Sequence, residues 1–424
     1  MKVRSWLSTC SSATCIATSD AAAPSPPLTL FPPPKSLFSD TSSSSYSDNS
    51  QTNSSIQSNL SLLTLPSLPS LQKLTLSPLN PSATTSAAAL LPLRGRAHVH
   101  FLALHNRLLY AALGDQIHVY ETLTNTLLDT FNAASDATGA AKSIAFRGGR
   151  ILTAHQDCKI RVWKLNDQKK HKLVATLPTL EDRLRRFILP QNYVRVRRHK
   201  QRLWIQHHDA VSGLAAIDDH RREVNLIASI SWDRSIKIWN TRNLNCLQSI
   251  NKAHDDAINA VAVSTDGLIY TGSADRKIRV WQKEGKSEKY AAIATLEKHK
   301  SAVNALALNR DGSVLFSGSC DRSILVWERE DSAGHMAAVG ALRGHARAIL
   351  CLINVRDLLI SGSADRTVRI WQRGFDARFC CLAVLEGHRT PVRSLTAEDG
   401  EDGGGVRVFS GSFDGEIRVW EVGF

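Results

Sequence analysis

Nowhere in these 424 residues does an apolar run approach the roughly 18 to 20 needed to cross a bilayer, so no membrane span and a soluble chain are expected. The eight cysteines include the adjacent Cys380-Cys381 but no Cys-x-x-Cys. That argues against a disulfide framework or a zinc site and for a reducing compartment. A phosphate-cradling glycine loop, a metal-spaced Cys/His cluster and a nucleophile in a distinctive setting are all missing, so neither enzymatic chemistry nor a cofactor is expected. Residues 1–35 are poor in acids, but their few arginines and the lack of an amphipathic pattern count against a transit peptide. Charges and aromatics are also scarce between Ala21 and Ser70, where Ser, Thr, Pro and Asn dominate. Such a stretch cannot bury enough apolar surface to offset its ordering entropy. Residues 1–65 are therefore expected to be a disordered tail, with Ser42–Ser50 a candidate phosphoacceptor tract.

What the chain has in abundance is repetition. Leu268-Ile-Tyr-Thr-Gly-Ser-Ala-Asp-Arg-Lys-Ile-Arg-Val-Trp281 returns as Leu358-Leu-Ile-Ser-Gly-Ser-Ala-Asp-Arg-Thr-Val-Arg-Ile-Trp371, with further copies ending at Trp327 and Trp420, weaker ones at Trp163 and Trp239, and a degenerate one at Tyr120. The intervals between these ends are 43, 76, 42, 46, 44 and 49 residues. Each repeat reads as four short strands, such as Ile258–Val263, Leu268–Thr271, Ile278–Trp281 and Ala292–Leu296, separated by turns like Asp266-Gly267 and Asp311-Gly312. A period of roughly 40 to 50 residues with a Gly-His start resembles the WD40 repeat. The resemblance implies an all-β fold, a seven-bladed WD40 β-propeller over residues 66–424, with a disordered N-terminal tail and a basic insertion.

Too little chain follows Trp420 for a fourth strand, so another segment is expected to complete the last blade and cover its edge. The candidate is Ser70–Ser77, which resembles the fourth strands Cys246–Ile250 and Cys381–Leu385, with Asn80–Leu91 bridging to the first blade. The 76-residue interval holds an insertion, placed at 164–203. Within it Thr179 is a candidate N-cap for a helix over 180–189 that ends at Pro190, and Leu180, Leu184, Phe187 and Ile188 share one face. Between Lys164 and His208 twelve Lys/Arg face three acids, a local balance of +9 against a formal +13 for the whole chain.

The Ser-rich leader running into Asn59–Gln72, the insertion Ala175–Pro190 followed by Tyr193–Lys200, and the repeat Ala154–Trp163 together resemble the plant WD-repeat group that includes JINGUBANG. Over residues 55–424 this resemblance implies a regulator associated with pollen germination and tube growth. The WD40 resemblance also implies a buried tetrad of His, Ser or Thr, Asp and Trp in each complete blade. The sets are His207, Ser229, Asp233, Trp239; His254, Thr271, Asp275, Trp281; His299, Ser317, Asp321, Trp327; His345, Ser361, Asp365, Trp371; and His388, Ser410, Asp414, Trp420. Recurrence in five blades marks them as structural, since catalysis needs one organised site rather than five. No repeat-ending Trp is followed by Asp, and the first two repeats lack the tetrad His, so those blades are expected to be the least stable.

The function that follows is a non-enzymatic scaffold for one or more protein partners. The residue preceding each tetrad Asp should point outward, which singles out Trp232 and Phe413 as aromatic anchors or, equally, as packing residues under a neighbouring loop. His208, Asp209, Asp255, Asp256, Lys300, Arg347 and Arg389 would form a polar rim around them. In the insertion, Arg183, Arg185, Arg186, Arg197, Arg198 and Lys200 point to an acidic protein surface as partner. The alternative is a nucleic-acid-associated or nuclear regulatory protein using the same basic run. It is disfavoured by the lack of any reading motif and of aromatic interleaving beyond Tyr193 and Trp204. The run Arg197–Arg202 also reads as a nuclear import signal, so a cytoplasmic or nuclear location, or both, is expected. His98-x-His100 could chelate a metal, but both lie where the first blade's inner strand begins and read more simply as structural imidazoles.

Overall fold

The second strand of a repeat is buried along most or all of its length, as in Val314–Ser319 and Leu358–Ser363, while a fourth strand such as Phe379–Leu385 is partly exposed. Strands that are small and apolar throughout, followed by half-polar ones, stack as blades of a propeller, inner strands covered and outer strands wet. The structure, a computed structural model, describes residues 68–72, 84–90 and, with short gaps, 97–423. The tail expected over 1–65 lies outside the described residues.

Seven four-stranded antiparallel sheets form, six of them with strands a to d in sequence order. Blade 1 is Val99–His105, Leu108–Leu113, Gln116–Glu121 and Leu127–Phe131, and blade 2 is Ala141–Arg147, Arg150–His155, Ile160–Leu165 and His171–Leu177. Blade 3 is Val211–Ile217, Leu226–Ser231, Ile236–Asn240 and Cys246–Ile250; blade 4 is Ile258–Val263, Ile269–Ser273, Lys277–Lys283 and Tyr290–Glu297. Blade 5 is Val303–Leu308, Val314–Ser319, Ile324–Arg329 and Met336–Leu342; blade 6 is Ile349–Val355, Leu358–Ser363, Val368–Arg373 and Phe379–Leu385. Blade 7 supplies only Val392–Asp399, Gly405–Ser412 and Ile417–Gly423. The seven a strands touch in a closed cycle, blade 7 returning to blade 1, so they surround a central channel.

Four of the seven blade junctions share one contact, blades 1 and 2 carrying Ala112 and Ala154 in place of its glycine. The first residue of strand a, such as Val99, Val303, Ile349 or Val392, is fully buried over a glycine in strand b of the preceding blade. A Cβ on Gly411, Gly272, Gly318 or Gly362 would lie 2.5, 2.6, 2.5 or 2.8 Å from that side chain. Blade 3 carries Ile230 at this position instead, and the room is returned by Gly213, opposite it on strand a, where a Cβ would meet Ile230 at 2.9 Å.

The segment that completes blade 7 is Thr84–Leu90, antiparallel to Ile417–Gly423, and not Ser70–Ser77. In blades 1 to 6 strand d bulges by one residue opposite the Trp or Tyr position of strand c, for example between Ile238 and Trp239. Thr84–Leu90 repeats the irregularity, Ala87 facing Trp420 and Ala89 facing Val419, so it is a fourth strand in register as well as in place. The upstream piece wedges between the outer strands of blades 5 and 6. Ala341 N–H donates to Pro69 O at 3.0 Å, Leu71 N–H to Ala341 O at 3.1 Å, and Phe379 N–H to Leu71 O at 2.9 Å. Leu71 packs on the blade 5–6 core beside Gly340, which has no side chain to exclude it.

The insertion is shorter than 164–203. Lys164 lies in strand c of blade 2 and pairs directly with Lys172 of strand d, and Lys170 immediately precedes that strand; Lys169 is outside the described residues. The inserted elements are helix α1 (Leu180–Phe187), two residues shorter than the sequence indicates, a 3-10 turn Pro190–Asn192, and a hairpin of Tyr193–Arg197 and Lys200–Leu203.

Two outcomes test this account. A chain beginning at residue 80 should remain monomeric, whereas one beginning at residue 92 should expose the edge of Ile417–Gly423 and aggregate, as size-exclusion chromatography would show. Gly318→Ala should cost about 1–3 kcal/mol in denaturant unfolding by overpacking against Ile349; a neutral result would remove the inter-blade contact from the argument.

Candidate functional site

The tetrads set the geometry of one face of the ring. In blade 4 Trp281 Nε1 donates to Thr271 Oγ1 at 2.9 Å, His254 Nε2 lies 2.8 Å from the same hydroxyl, and His254 Nδ1 lies 2.8 Å from Asp275 Oδ2. An ionised carboxylate only accepts, so Nδ1 carries the proton. The same bonds join His299, Ser317, Asp321 and Trp327, and His345, Ser361, Asp365 and Trp371. In blade 3 the His207–Asp233 bond lengthens to 3.2 Å because Ser235 Oγ shares Nδ1 at 3.0 Å, while Ser229 joins His207 and Trp239.

Blade 7 makes only part of the set. Ser410 Oγ bonds both His388 and Trp420 at 2.7 Å, but His388 Nδ1 and Asp414 Oδ2 are buried without a hydrogen-bond partner. The His388–Asp414 pairing expected from the sequence is therefore not made: Asp414 instead accepts from Ser412 and the Glu416 amide. Glu416 brings a third ligand-type atom close to these two, yet Arg418 binds Glu416 at 3.1 Å and its charge also acts on His388, so a cation already serves this cluster. Blade 2 holds an imidazole that sequence reading missed. His155 projects from strand b itself, its Nε2 2.8 Å from Thr153 Oγ1, which accepts from Trp163 at 2.8 Å. Blade 1 ends in Tyr120 and its Asp115 is exposed.

Four of the five tetrad carboxylates also reach the rim. Asp233, Asp275, Asp321 and Asp365 accept the backbone N–H of His208, Asp255, Lys300 and Ala346 at 2.7 to 3.0 Å. In blades 3 to 6 the loop entering strand a is thereby fixed by its main chain, whatever side chains it carries. Asp209, Asp255, Asp256, Lys300, Arg347 and Arg389 are exposed and His208 half-buried. Asp255 faces Lys277 and Arg279, each at 3.8 Å. Trp232 and Phe413 are both half-buried. Phe413 meets the His98 ring edge-on at 5.8 Å across the blade 7–1 junction, so its ring serves packing there.

The insertion attaches to blade 3 by its polar side. Thr179 Oγ1 accepts from Asp182 N–H at 3.2 Å and so caps α1. Asp182 is buried and bonds Arg186 at 2.8 Å, and the Arg186 guanidinium lies 4.6 Å from the centre of the Trp204 ring. Asn192 and Tyr193 donate to the last helical carbonyls, of Arg186 and Phe187, both at 3.0 Å. Beneath them Lys237, fully buried, donates to Trp204 O and Ser249 Oγ, each at 2.5 Å. The apolar face points the other way: Leu180, Leu184, Phe187 and Ile188 are 69, 60, 65 and 80 % exposed. Arg183 and Arg185 are exposed, Arg185 bonding Glu181, whereas Arg186 is committed to the anchor. Arg197 and Lys200 lie in the hairpin strands, their side chains outside the description, and Arg198 lies outside the described residues.

Burial governs the titration of this face. It brings His155, His208 and His388 down to about 4, from the ordinary 6.5, aided by Arg161 beside His155 and Arg418 beside His388. Burial pushes Asp275 upward, but the bonds and charge of His254 and the amides of Lys277 and Asp255 outweigh it and bring it to about 2. In the unfolded chain these imidazoles take up protons near 6.5 and the carboxylate near 3.8. The imidazole contribution to stability is therefore complete above about pH 6.5 and fades as pH falls toward 4; that of Asp275 fades between about pH 4 and 2. The thermal midpoint should fall in these two windows, and His388→Gln should flatten the first; a midpoint constant from pH 7 to 4 would contradict the assignment.

The WD domain, G-beta repeat family matches residues 199–240, 244–282, 291–328, 337–372 and 379–421, which are blades 3 to 7. The chain is 34 % identical over 105 residues to the small ribosomal subunit protein RACK1 of Drosophila melanogaster, covering 24 % of this chain and 30 % of that protein. It is 34 % identical over 89 residues to protein Notchless of the same organism, covering 21 % and 17 %. To autophagy-related protein 16 of Arabidopsis thaliana it is 23 % identical over 215 residues, covering 47 % and 40 %. The matched stretches thus span less than half the length of each relative. Repeats that match the family, closed into seven blades, make this chain a WD40-repeat β-propeller protein.

Proposed function

We propose that the chain is a non-enzymatic interaction scaffold, cytoplasmic or nuclear, whose inserted helix docks a protein partner presenting an apolar segment flanked by acidic side chains. One observation carries this: α1 is held to the propeller through Asp182 and Arg186, so that four large apolar side chains face solvent. Burying such side chains is worth roughly 1.5–3 kcal/mol each, and a fold that only needed to cover the blade would have turned them inward. Arg183, Arg185 and Arg195, exposed on the same appendage, complement acidic flanks and favour their approach. The rim with Trp232 offers a second patch to the same or another protein. The resemblance to the plant group that includes JINGUBANG supports a regulatory role in a developmental process such as pollen germination. No helix among the described residues is long and apolar enough to cross a membrane.

The test is affinity purification from the native tissue with Phe187→Asp, with Arg183→Glu/Arg185→Glu, and with Trp232→Ala. Both insertion variants should lose the same partner about tenfold, a change of roughly 1.4 kcal/mol, with the thermal midpoint of the propeller unchanged. Higher salt should weaken the wild-type complex. Full recovery with both insertion variants, and loss only with Trp232→Ala, would place docking on the rim and end the helix proposal.

A further inference from the structure

The piece of chain wedged between blades 5 and 6 has no part in closing the ring, which Thr84–Leu90 completes. It is held as an extended peptide added in parallel to two open sheet edges, Ser70 beside Ala341 and Gln72 beside Phe379. The Arg343 guanidinium donates to Leu68 O at 3.1 Å, and main-chain bonds join the rest to Ala341 and Phe379. In a contact of this kind backbone bonds give affinity and side-chain pockets give specificity. Leu68 packs on the core shared by blades 4 and 5, and Leu71 on that shared by blades 5 and 6. Pro69 has no N–H to leave unpaired, and its carbonyl is the one that Ala341 N–H holds. Ser70 is exposed, so its side chain goes unread. The segment is thus recognised as Leu-Pro-x-Leu.

Two observations set this apart from a strap fitted to one place. The first is on the side of the groove. The strand d residue facing the position before the Trp or Tyr is Gly340 in blade 5, whereas the other blades carry Asp129, Ala175, Gln248, Ala294, Ala383 and Ala89 there. A Cβ on Gly340 would strike Leu71 and lie 2.9 Å from Pro69 O, so only the glycine admits the peptide. The second is on the side of the ligand. Leu65-Pro66-Ser67-Leu68 runs directly into Leu68-Pro69-Ser70-Leu71, so a slide of three residues presents the same residue types to the same groove. A site that two registers can fill reads a motif rather than one position in the chain.

We propose that the groove between the outer strands of blades 5 and 6 is a docking site for an extended Leu-Pro-x-Leu segment of another protein, and that Leu68–Gln72 is a resident competitor which such a segment displaces. Tethering holds the resident at an effective concentration of about millimolar. A second copy of this chain brings an identical segment, which makes the same contacts and also loses its freedom of movement, so it does not win the groove. A different protein wins it by adding contacts beyond the motif. The proposal does not rest on docking at α1, which blade 3 carries.

The test is fluorescence anisotropy of a labelled peptide with the sequence of residues 67–73, Ser-Leu-Pro-Ser-Leu-Gln-Lys, titrated with the full chain. Leu68→Asp/Leu71→Asp in the chain spoils the resident segment in both registers, and this released variant should bind the peptide about tenfold or more tighter than wild type. Adding Gly340→Val should weaken that binding about tenfold or more, as should aspartate in place of both leucines of the peptide. The groove is vacant in the released variant, so Gly340→Val should leave its thermal midpoint unchanged, which separates lost binding from lost folding. In the wild-type chain, saturating peptide should speed hydrogen exchange at the Leu71 amide while the Ala341 amide stays protected. Leu68→Ala/Leu71→Ala, which removes both anchors without adding charge, takes the place of the aspartate variant if that one aggregates. No saturable binding to the released chain, equal binding by released and wild-type chains, indifference to Gly340→Val, or an unchanged Leu71 amide at saturation would overturn the proposal.

Discussion

A blade of this size cannot bury its own faces, so every blade depends on the contact it makes with the next. At four of the seven junctions that contact is a β-branched residue at the start of one strand a, set over a glycine in the neighbour's strand b, with Ala112 and Ala154 in the glycine's place in blades 1 and 2. The glycines of the Ser-Gly-Ser and Thr-Gly-Ser repeats owe their place to this packing. None of Gly272, Gly318, Gly362 and Gly411 has a positive φ, so space, not backbone freedom, is what they supply. Blade 3 shows the rule by its exception: Ile230 takes the glycine's place and Gly213 gives the volume back across the strand pair. Interiors packed near crystal density allow such an exchange only when both partners change together.

The tetrads act on this framework as fasteners of main chain. Because the carboxylates of blades 3 to 6 hold the amide of the residue after the histidine, the loop's path there is set without reference to the side chain it carries. His208, Asp255, Lys300 and Ala346 occupy equivalent positions with the same backbone bond. One geometry thus displays four unlike chemistries, which is what a surface serving as a scaffold requires.

Much of this was legible in the sequence, for a physical reason: repeat ends, turns and the Thr179 cap depend on local residue types. The closing strand was not. Thr84-Thr-Ser-Ala-Ala-Ala-Leu90 has no alternation and no bulky residue, and only its pairing with Ile417–Gly423 shows what it does. Ser70–Gln72 looks more like a strand and does lie beside strands, but between blades 5 and 6. His155 escaped notice because the tetrad pattern places its histidine ahead of strand a, whereas this one reaches the same hydroxyl from within strand b. For α1, periodicity shows which residues share a face but not which face is covered. The anchor that inverts the helix, Arg186 on Trp204 above Lys237, joins residues far apart in sequence.

The parts of the ring that meet last are made far apart in time, Thr84–Leu90 long before Ile417–Gly423. Arg343 bonds Leu68 across 275 positions, and Thr84–Leu90 must wait for Ile417–Gly423 to be synthesised. Throughout translation the early segment is therefore without its strand partner, and blade 1 lacks the neighbour that covers its inner side. Loop closure over such a span is slow, and open sheet edges recruit other chains while they wait. Production of this protein is thus a race between ring closure and edge pairing, in which conditions that slow the second, such as low chain density or a holding chaperone, should raise yield without changing the stability of the finished ring.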